Sequence, residues 1–83
     1  MSIEVSLFGF GDDRPQTFGR NDRISLRTEN GITLNAVLLQ AGFKDTHGLS
    51  AMVNGKLVPP GEWSSRVIDD GDAVKLLMAI EGG

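Results

Sequence analysis

The chain has 83 residues, of which 40% are hydrophobic and 23% are charged, as is typical of a folded globular protein. This length supports one modest hydrophobic core, so we predict a single domain over residues 1–83. A formal net charge of -3 argues against nucleic acid as a partner. The absence of cysteine excludes disulfides, thiolate nucleophiles and zinc–cysteine sites. No stretch resembles a signal peptide or a membrane span, which predicts a cytoplasmic protein without membrane contact.

Two predicted strands open the chain. Residues 3–10 begin with alternating apolar and polar side chains, the period-2 pattern of a half-buried strand. Residues 11–21 have no periodicity and are rich in turn-forming residues, which predicts a loop. A second strand is predicted at residues 23–28, with Ile24 and Leu26 facing inward. We expect the two strands to pair in an antiparallel fashion.

A short amphipathic helix is predicted next. Thr33 is suited to the N-cap position, and Gly42 stands where a helix would end. Between them, apolar residues recur at helical spacing: Leu34, Val37, Leu38 and Ala41.

The second half of the chain predicts three more strands. Asn54-Gly55, flanked by residues 51–53 and 56–58, is a strong hairpin signal. Residues 69–72 form a polar turn before a final strand at residues 73–80. The predicted order is therefore β-β-α-β-β-β. This order indicates an α+β fold, a mixed sheet of four to five strands covered on one face by one main helix.

The uncovered face of this sheet is the predicted partner-binding surface. Lys75 marks the solvent side of the last strand, and its period-2 neighbours there are Leu77 and Ala79. The same alternation in the first strand places Phe8 and Phe10 outward. If the two strands are adjacent, these side chains form an exposed apolar patch of the kind that marks interfaces. The alternative is that Phe8 and Phe10 fold under the loop of residues 11–21, which leaves Leu77 isolated.

The sequence finishes with Glu81-Gly82-Gly83. Two successive glycines have no side chains and can thread a narrow active-site tunnel. The alternative is an ordinary frayed terminus.

The order of the motifs resembles the ThiS/MoaD family of ubiquitin-like sulfur-carrier proteins, which have a β-grasp fold. The resemblance rests on the hairpin sequence of residues 53–59, Trp63, the Asp70-Gly71-Asp72 turn, the apolar last strand and Gly82-Gly83. It implies that an ATP-dependent E1-like enzyme adenylates the Gly83 carboxylate. Sulfur from a persulfide donor then converts it to a thiocarboxylate.

The resemblance also implies the remaining roles. Gly82 makes the tail of residues 81–83 flexible, and Ile80 and Glu81 join the partner-binding surface. The implied acceptor is the large subunit of molybdopterin synthase or a thiazole synthase. The sequence leaves open whether the pathway is that of molybdopterin or of thiamine. The protein itself would be a carrier without a bound cofactor, not an enzyme.

The chain contains two other groups of candidate site residues. Asp69, Asp70 and Asp72 lack the spacing of a calcium loop, and His47 has no nucleophile to activate, so no metal or catalytic triad is predicted. Two alternative functions remain. The chain could be a ubiquitin-like modifier joined to lysines through Gly83, or a non-reactive β-grasp interaction module.

Overall fold

The computed structural model describes residues 1–78, which contain five β-strands and one α-helix. The elements are β1 (Ser2–Phe8), β2 (Arg23–Arg27), α1 (Leu34–Gln40), β3 (Leu49–Val53), β4 (Lys56–Val58) and β5 (Ala73–Met78). The strands form one sheet in the order β2-β1-β5-β3-β4. The β1–β5 pair is parallel and the other pairs are antiparallel. The predicted element order and the mixed α+β sheet are confirmed.

Helix α1 begins and ends where its sequence predicts. The Thr33 hydroxyl accepts a hydrogen bond from the Ala36 backbone N–H at 3.3 Å, which caps the first turn. After the helix, Gly42 adopts φ +102°, a conformation that side-chain-bearing residues rarely adopt. These two residues limit the helix to the seven residues Leu34–Gln40.

The hydrophobic core lies between α1 and one face of the sheet. Alternate residues of β1 and β5 and the apolar side of the helix fill its centre. They are Ile3, Val5, Leu7, Leu34, Val37, Leu38, Val74 and Leu76. Each is at most 6% exposed. The opposite face of the sheet has no such cover among residues 1–78.

The loop of residues 11–21 is part of this core, which its sequence did not indicate. It contains a 3-10 turn, Gln16–Phe18, and the Phe18 side chain is only 1% exposed. The rings of Phe18 and Phe43 meet edge to face with centroids 6.2 Å apart. The Thr17 hydroxyl donates a hydrogen bond to the Ala41 carbonyl. The loop is therefore fastened to the end of α1.

The predicted position of Phe10 is wrong. It was predicted to lie outward beside Phe8, but it is 4% exposed and packs edge to face on Phe43, with ring centroids 5.7 Å apart. The strand ends at Phe8, because Gly9 has φ +82° and takes the chain out of the extended conformation. The period-2 alternation stops there, and Phe10 turns into the core.

Within residues 1–78, no helix has the length and apolar character needed to cross a membrane.

Candidate functional site on the open face of the sheet

Two aligned rows of side chains cross the uncovered side of the sheet. In the first row, Phe8 of β1 pairs with Leu77 of β5, and Leu77 pairs with Ser50 of β3. Residues paired in this way project on the same side of a sheet. Phe8 is 64% exposed, whereas Leu77 is half-buried rather than fully exposed. The predicted neighbourhood of Phe8 and Leu77 is confirmed.

The second row adds two apolar residues that were not singled out in the sequence. Lys75 of β5 pairs with Met52 of β3, which in turn pairs with Leu57 of β4. Leu57 is 65% exposed and Met52 is half-buried. Their signal was present in the sequence. Once Asn54-Gly55 fixes the hairpin register, the residues alternating with the inward Ala51, Val53 and Val58 must face outward.

We call this surface the open face. It consists of Phe8, Met52, Leu57, Lys75 and Leu77. Beside these residues, a concavity of about 350 Å³ lies over the small side chains of Ser6 and Ala73. The concavity forms because longer side chains flank these two positions.

The charged groups around the concavity are mainly cationic. The Arg23 Nε atom lies 3.4 Å from the Glu4 Oε1 atom, and both side chains are more than half exposed. Lys75 has no carboxylate within 4 Å among residues 1–78. Of the charged residues that line the concavity, Arg23 and Lys75 are cationic and Glu4 is anionic. A partner on the open face therefore meets apolar and cationic groups.

A hydrogen-bonded clamp fixes the β3–β4 hairpin against the start of β5. The Asn54 side-chain amide donates to an Asp72 carboxylate oxygen at 2.8 Å, and its carbonyl accepts from the Ala73 N–H at 2.9 Å. The second Asp72 oxygen accepts from the Asp69 N–H at 2.8 Å. These hydrogen bonds, led by the one from Asp69, lower the pKa of Asp72 below its ordinary value. The clamp sets the position of Met52 and Leu57 relative to Lys75 and Leu77.

Trp63 supports the same hairpin from the other side. Its indole N–H donates to the Val58 carbonyl at 2.8 Å, and the side chain is 4% exposed. Trp63 is therefore a packing residue of the hairpin.

The structure brings together only part of the predicted partner-binding set. Phe8 and Leu77 are adjacent on the open face, and Phe10 is in the core. The rest of this set lies outside the described residues, namely Ala79, Ile80 and Glu81. The same holds for Gly82 and Gly83, which were predicted to form the reactive tail.

Residues 1–78 contain no group of three side chains that could hold a metal ion. His47 lies exposed in a loop, where its backbone N–H donates to the Asp45 carboxylate at 3.0 Å. His47 therefore belongs to a local surface turn.

A mixed sheet with one helix packed across it defines a β-grasp domain, the ubiquitin-like fold. Solved structures that share it over nearly the whole chain include the following three. Thiamine biosynthesis protein ThiS from Geobacter metallireducens has a TM-score of 0.70 at 16% identity, covering 100% of both chains. Small archaeal modifier protein 1 from Haloferax volcanii has a TM-score of 0.67 at 14% identity, covering 95% of this chain and 98% of that one. A chain from the complex of subunits 1 and 2 of molybdopterin-converting factor from Helicobacter pylori has a TM-score of 0.60 at 20% identity, covering 100% of both.

Sequence comparison then identifies the family. The ThiS family model matches residues 10–83, and the chain belongs to this family. Comparison with the curated proteins finds no match. The family is one of small sulfur carriers with a ubiquitin-like fold, as the ordered motifs predicted.

Proposed function

We propose that this protein carries sulfur as a thiocarboxylate on Gly83. An ATP-dependent activating enzyme adenylates the Gly83 carboxylate, a persulfide donor supplies sulfur, and an acceptor synthase of molybdopterin or thiamine biosynthesis receives it. Because the activation uses ATP, we place the reaction in the cytoplasm. The observation that carries the proposal is the family match, which extends through Gly82 and Gly83.

The chemistry requires a partner enzyme. A carboxylate is a poor electrophile until its oxygen becomes part of a good leaving group. Adenylation forms a mixed anhydride and releases pyrophosphate. A persulfide sulfur then attacks the carbonyl carbon, AMP leaves with the C–O electron pair, and a thiol cleaves the S–S bond to free the thiocarboxylate. The chain has no Gly-x-x-x-x-Gly-Lys-Ser/Thr phosphate loop of its own, so the activating enzyme must bind the ATP.

The position of the open face supports its proposed role in docking. Leu77 and Lys75 belong to β5, the last described strand, and Gly83 lies five residues beyond Met78 in the sequence. Five extended residues span at most about 17 Å. A partner seated on Phe8 and Leu77 would therefore need its catalytic centre within that distance of the end of β5.

The same surface would serve successive partners. Activating enzyme and acceptor must both reach Gly83, so each would bind the open face in turn. The related fold in the complex of molybdopterin-converting factor subunits 1 and 2 supports an acceptor subunit as one of these partners. Exchange between partners requires modest affinity. A small apolar patch suits this, beside a lysine that has no carboxylate within 4 Å in residues 1–78.

A second function shares the first chemical step. In a ubiquitin-like modifier, a lysine amine of a target protein attacks the adenylated or thioester-activated Gly83 and forms an isopeptide bond. The structural similarity to a small archaeal modifier protein supports the modifier as a second candidate function. The two functions differ in whether sulfur or nitrogen is the nucleophile.

Intact-mass spectrometry tests the proposal. The protein is incubated with ATP, a ThiS-type or MoaD-type activating enzyme and a persulfide source, and a variant lacking Gly83 is treated in parallel. We expect the mass to rise by the difference between sulfur and oxygen in the full chain only. Lysine-linked conjugates without this product would favour the modifier. An unchanged mass with every activating enzyme would contradict both reactions.

A further inference from the structure

The chain contains two Asn-Gly dipeptides, Asn30-Gly31 and Asn54-Gly55. Asparagine followed by glycine is prone to spontaneous deamidation, because no side chain shields the glycine backbone nitrogen from the asparagine carboxamide. Asparagine is accordingly counted among the thermolabile residues. The structure places the two dipeptides in very different surroundings.

Asn54 is held at every polar atom of its side chain. The amide nitrogen donates to Asp72 at 2.8 Å, and the carbonyl oxygen accepts from the Ala73 N–H at 2.9 Å. Its backbone N–H donates to the Ala73 carbonyl at 2.9 Å, and its φ is fixed at 51°. Attack by the Gly55 nitrogen would require the carboxamide to rotate out of these hydrogen bonds.

Asn30 lies in an exposed turn between β2 and α1. Within residues 1–78, its side chain makes no hydrogen bond, and the Gly31 backbone N–H donates none. The space around the Gly31 Cα is open, with no heavy atom within 4 Å of a Cβ placed there. The carboxamide of Asn30 is therefore free to rotate toward the Gly31 nitrogen.

We propose that Asn30 is the deamidation site of the folded protein and that the clamp to Asp72 and Ala73 protects Asn54. In the first step the Gly31 nitrogen bonds to Cγ of Asn30. The carboxamide nitrogen leaves as ammonia, taking the proton of the Gly31 N–H. Water then opens the cyclic imide at either carbonyl and gives aspartate or isoaspartate. No oxidant or other reactant is needed.

The difference matters because only one of the two sites supports the open face. A carboxylate at position 54 would stand where the Asn54 amide now meets Asp72, and the two anions would repel each other. Loss of the clamp would release the hairpin that carries Met52 and Leu57. Asn30, by contrast, belongs to a concavity lined by Arg27, Gln40 and their neighbours, away from the open face. A new carboxylate there leaves the clamp and the open face unchanged.

Peptide mapping by mass spectrometry tests this inference on the full chain. The protein is incubated at mildly alkaline pH well below its melting temperature, and the two deamidation rates are followed together. Because reaction at Asn54 must break two side-chain hydrogen bonds, we expect Asn30 to react at least about tenfold faster. In concentrated denaturant the rates should become similar. Equal rates in the folded protein, or the same ratio in denaturant, would overturn the proposal.

Two substitutions in one turn separate the clamp from general loosening. Asp72→Ala removes the acceptor of the Asn54 amide, whereas Asp69→Ala removes a neighbouring carboxylate that makes no hydrogen bond to Asn54. We expect Asp72→Ala to raise the Asn54 rate severalfold, with the Asn30 rate unchanged, and Asp69→Ala to change neither. Denaturant unfolding of each variant confirms that it is folded under the incubation conditions. An unchanged Asn54 rate in folded Asp72→Ala would refute the role of the clamp.

Discussion

Replacing Phe8 by alanine is expected to weaken binding of the activating enzyme while leaving the fold intact. The side chain is 64% exposed, so docking can bury about two-thirds of it. Complete burial of a phenylalanine contributes about 1.5–3 kcal/mol, so the expected loss is about 1–2 kcal/mol. This corresponds to a dissociation constant about 5–30 times larger. Stability should fall by less than about 1 kcal/mol, the value of a cross-strand contact such as that with Leu77.

A matched control comes from the opposite side of the molecule. Leu39 lies on α1 and is 61% exposed, so Leu39→Ala removes a similarly exposed apolar side chain away from the open face. Isothermal titration calorimetry with the activating enzyme gives the dissociation constants, and urea unfolding gives the stabilities. Wild-type affinity in Phe8→Ala, or an equal loss in Leu39→Ala, would refute docking through the open face.

Two further predictions concern the scaffold. Phe18→Ala should lower the free energy of unfolding, measured in urea, by about 3–5 kcal/mol, because it empties a core position in the loop of residues 11–21. A loss below about 1 kcal/mol would show that the loop does not complete the core. The lowered pKa of Asp72 stabilises the protein above the ordinary carboxyl pKa of about 4, and this contribution is lost as pH falls through the folded-state pKa. The stability difference between wild type and Asp72→Asn should therefore shrink between pH 7 and pH 3, and a pH-independent difference would contradict the clamp's electrostatic role.

Local signals in the sequence predicted most of the fold. The Thr33 cap, the helical spacing that follows it and the Asn54-Gly55 turn each depend on nearby residues, so they could be interpreted without a structure. Contacts between residues far apart in the sequence were harder to predict. Phe18 lies in a stretch without periodicity, and its burial depends on meeting Phe43 across the end of α1.

The open face was predicted in part for the same reason. Phe8 and Leu77 followed from the alternation of their strands, but that alternation was extended past Gly9 and misplaced Phe10. The hairpin register alone turns Met52 and Leu57 outward, but their place beside Lys75 and Leu77 depends on the order of the strands. That order puts the β3–β4 hairpin beside β5 rather than beside β1. The sequence near these residues does not indicate the order of the strands in the sheet.

The central position of β5 has a mechanical consequence. The strand is hydrogen-bonded along its length to β1 on one side and to β3 on the other. A pull applied at its end acts parallel to the strand, so both ladders resist it together in shear and cannot be peeled apart one bond at a time. A partner that binds the chain beyond Met78 and then moves away would therefore move the whole domain as a rigid body.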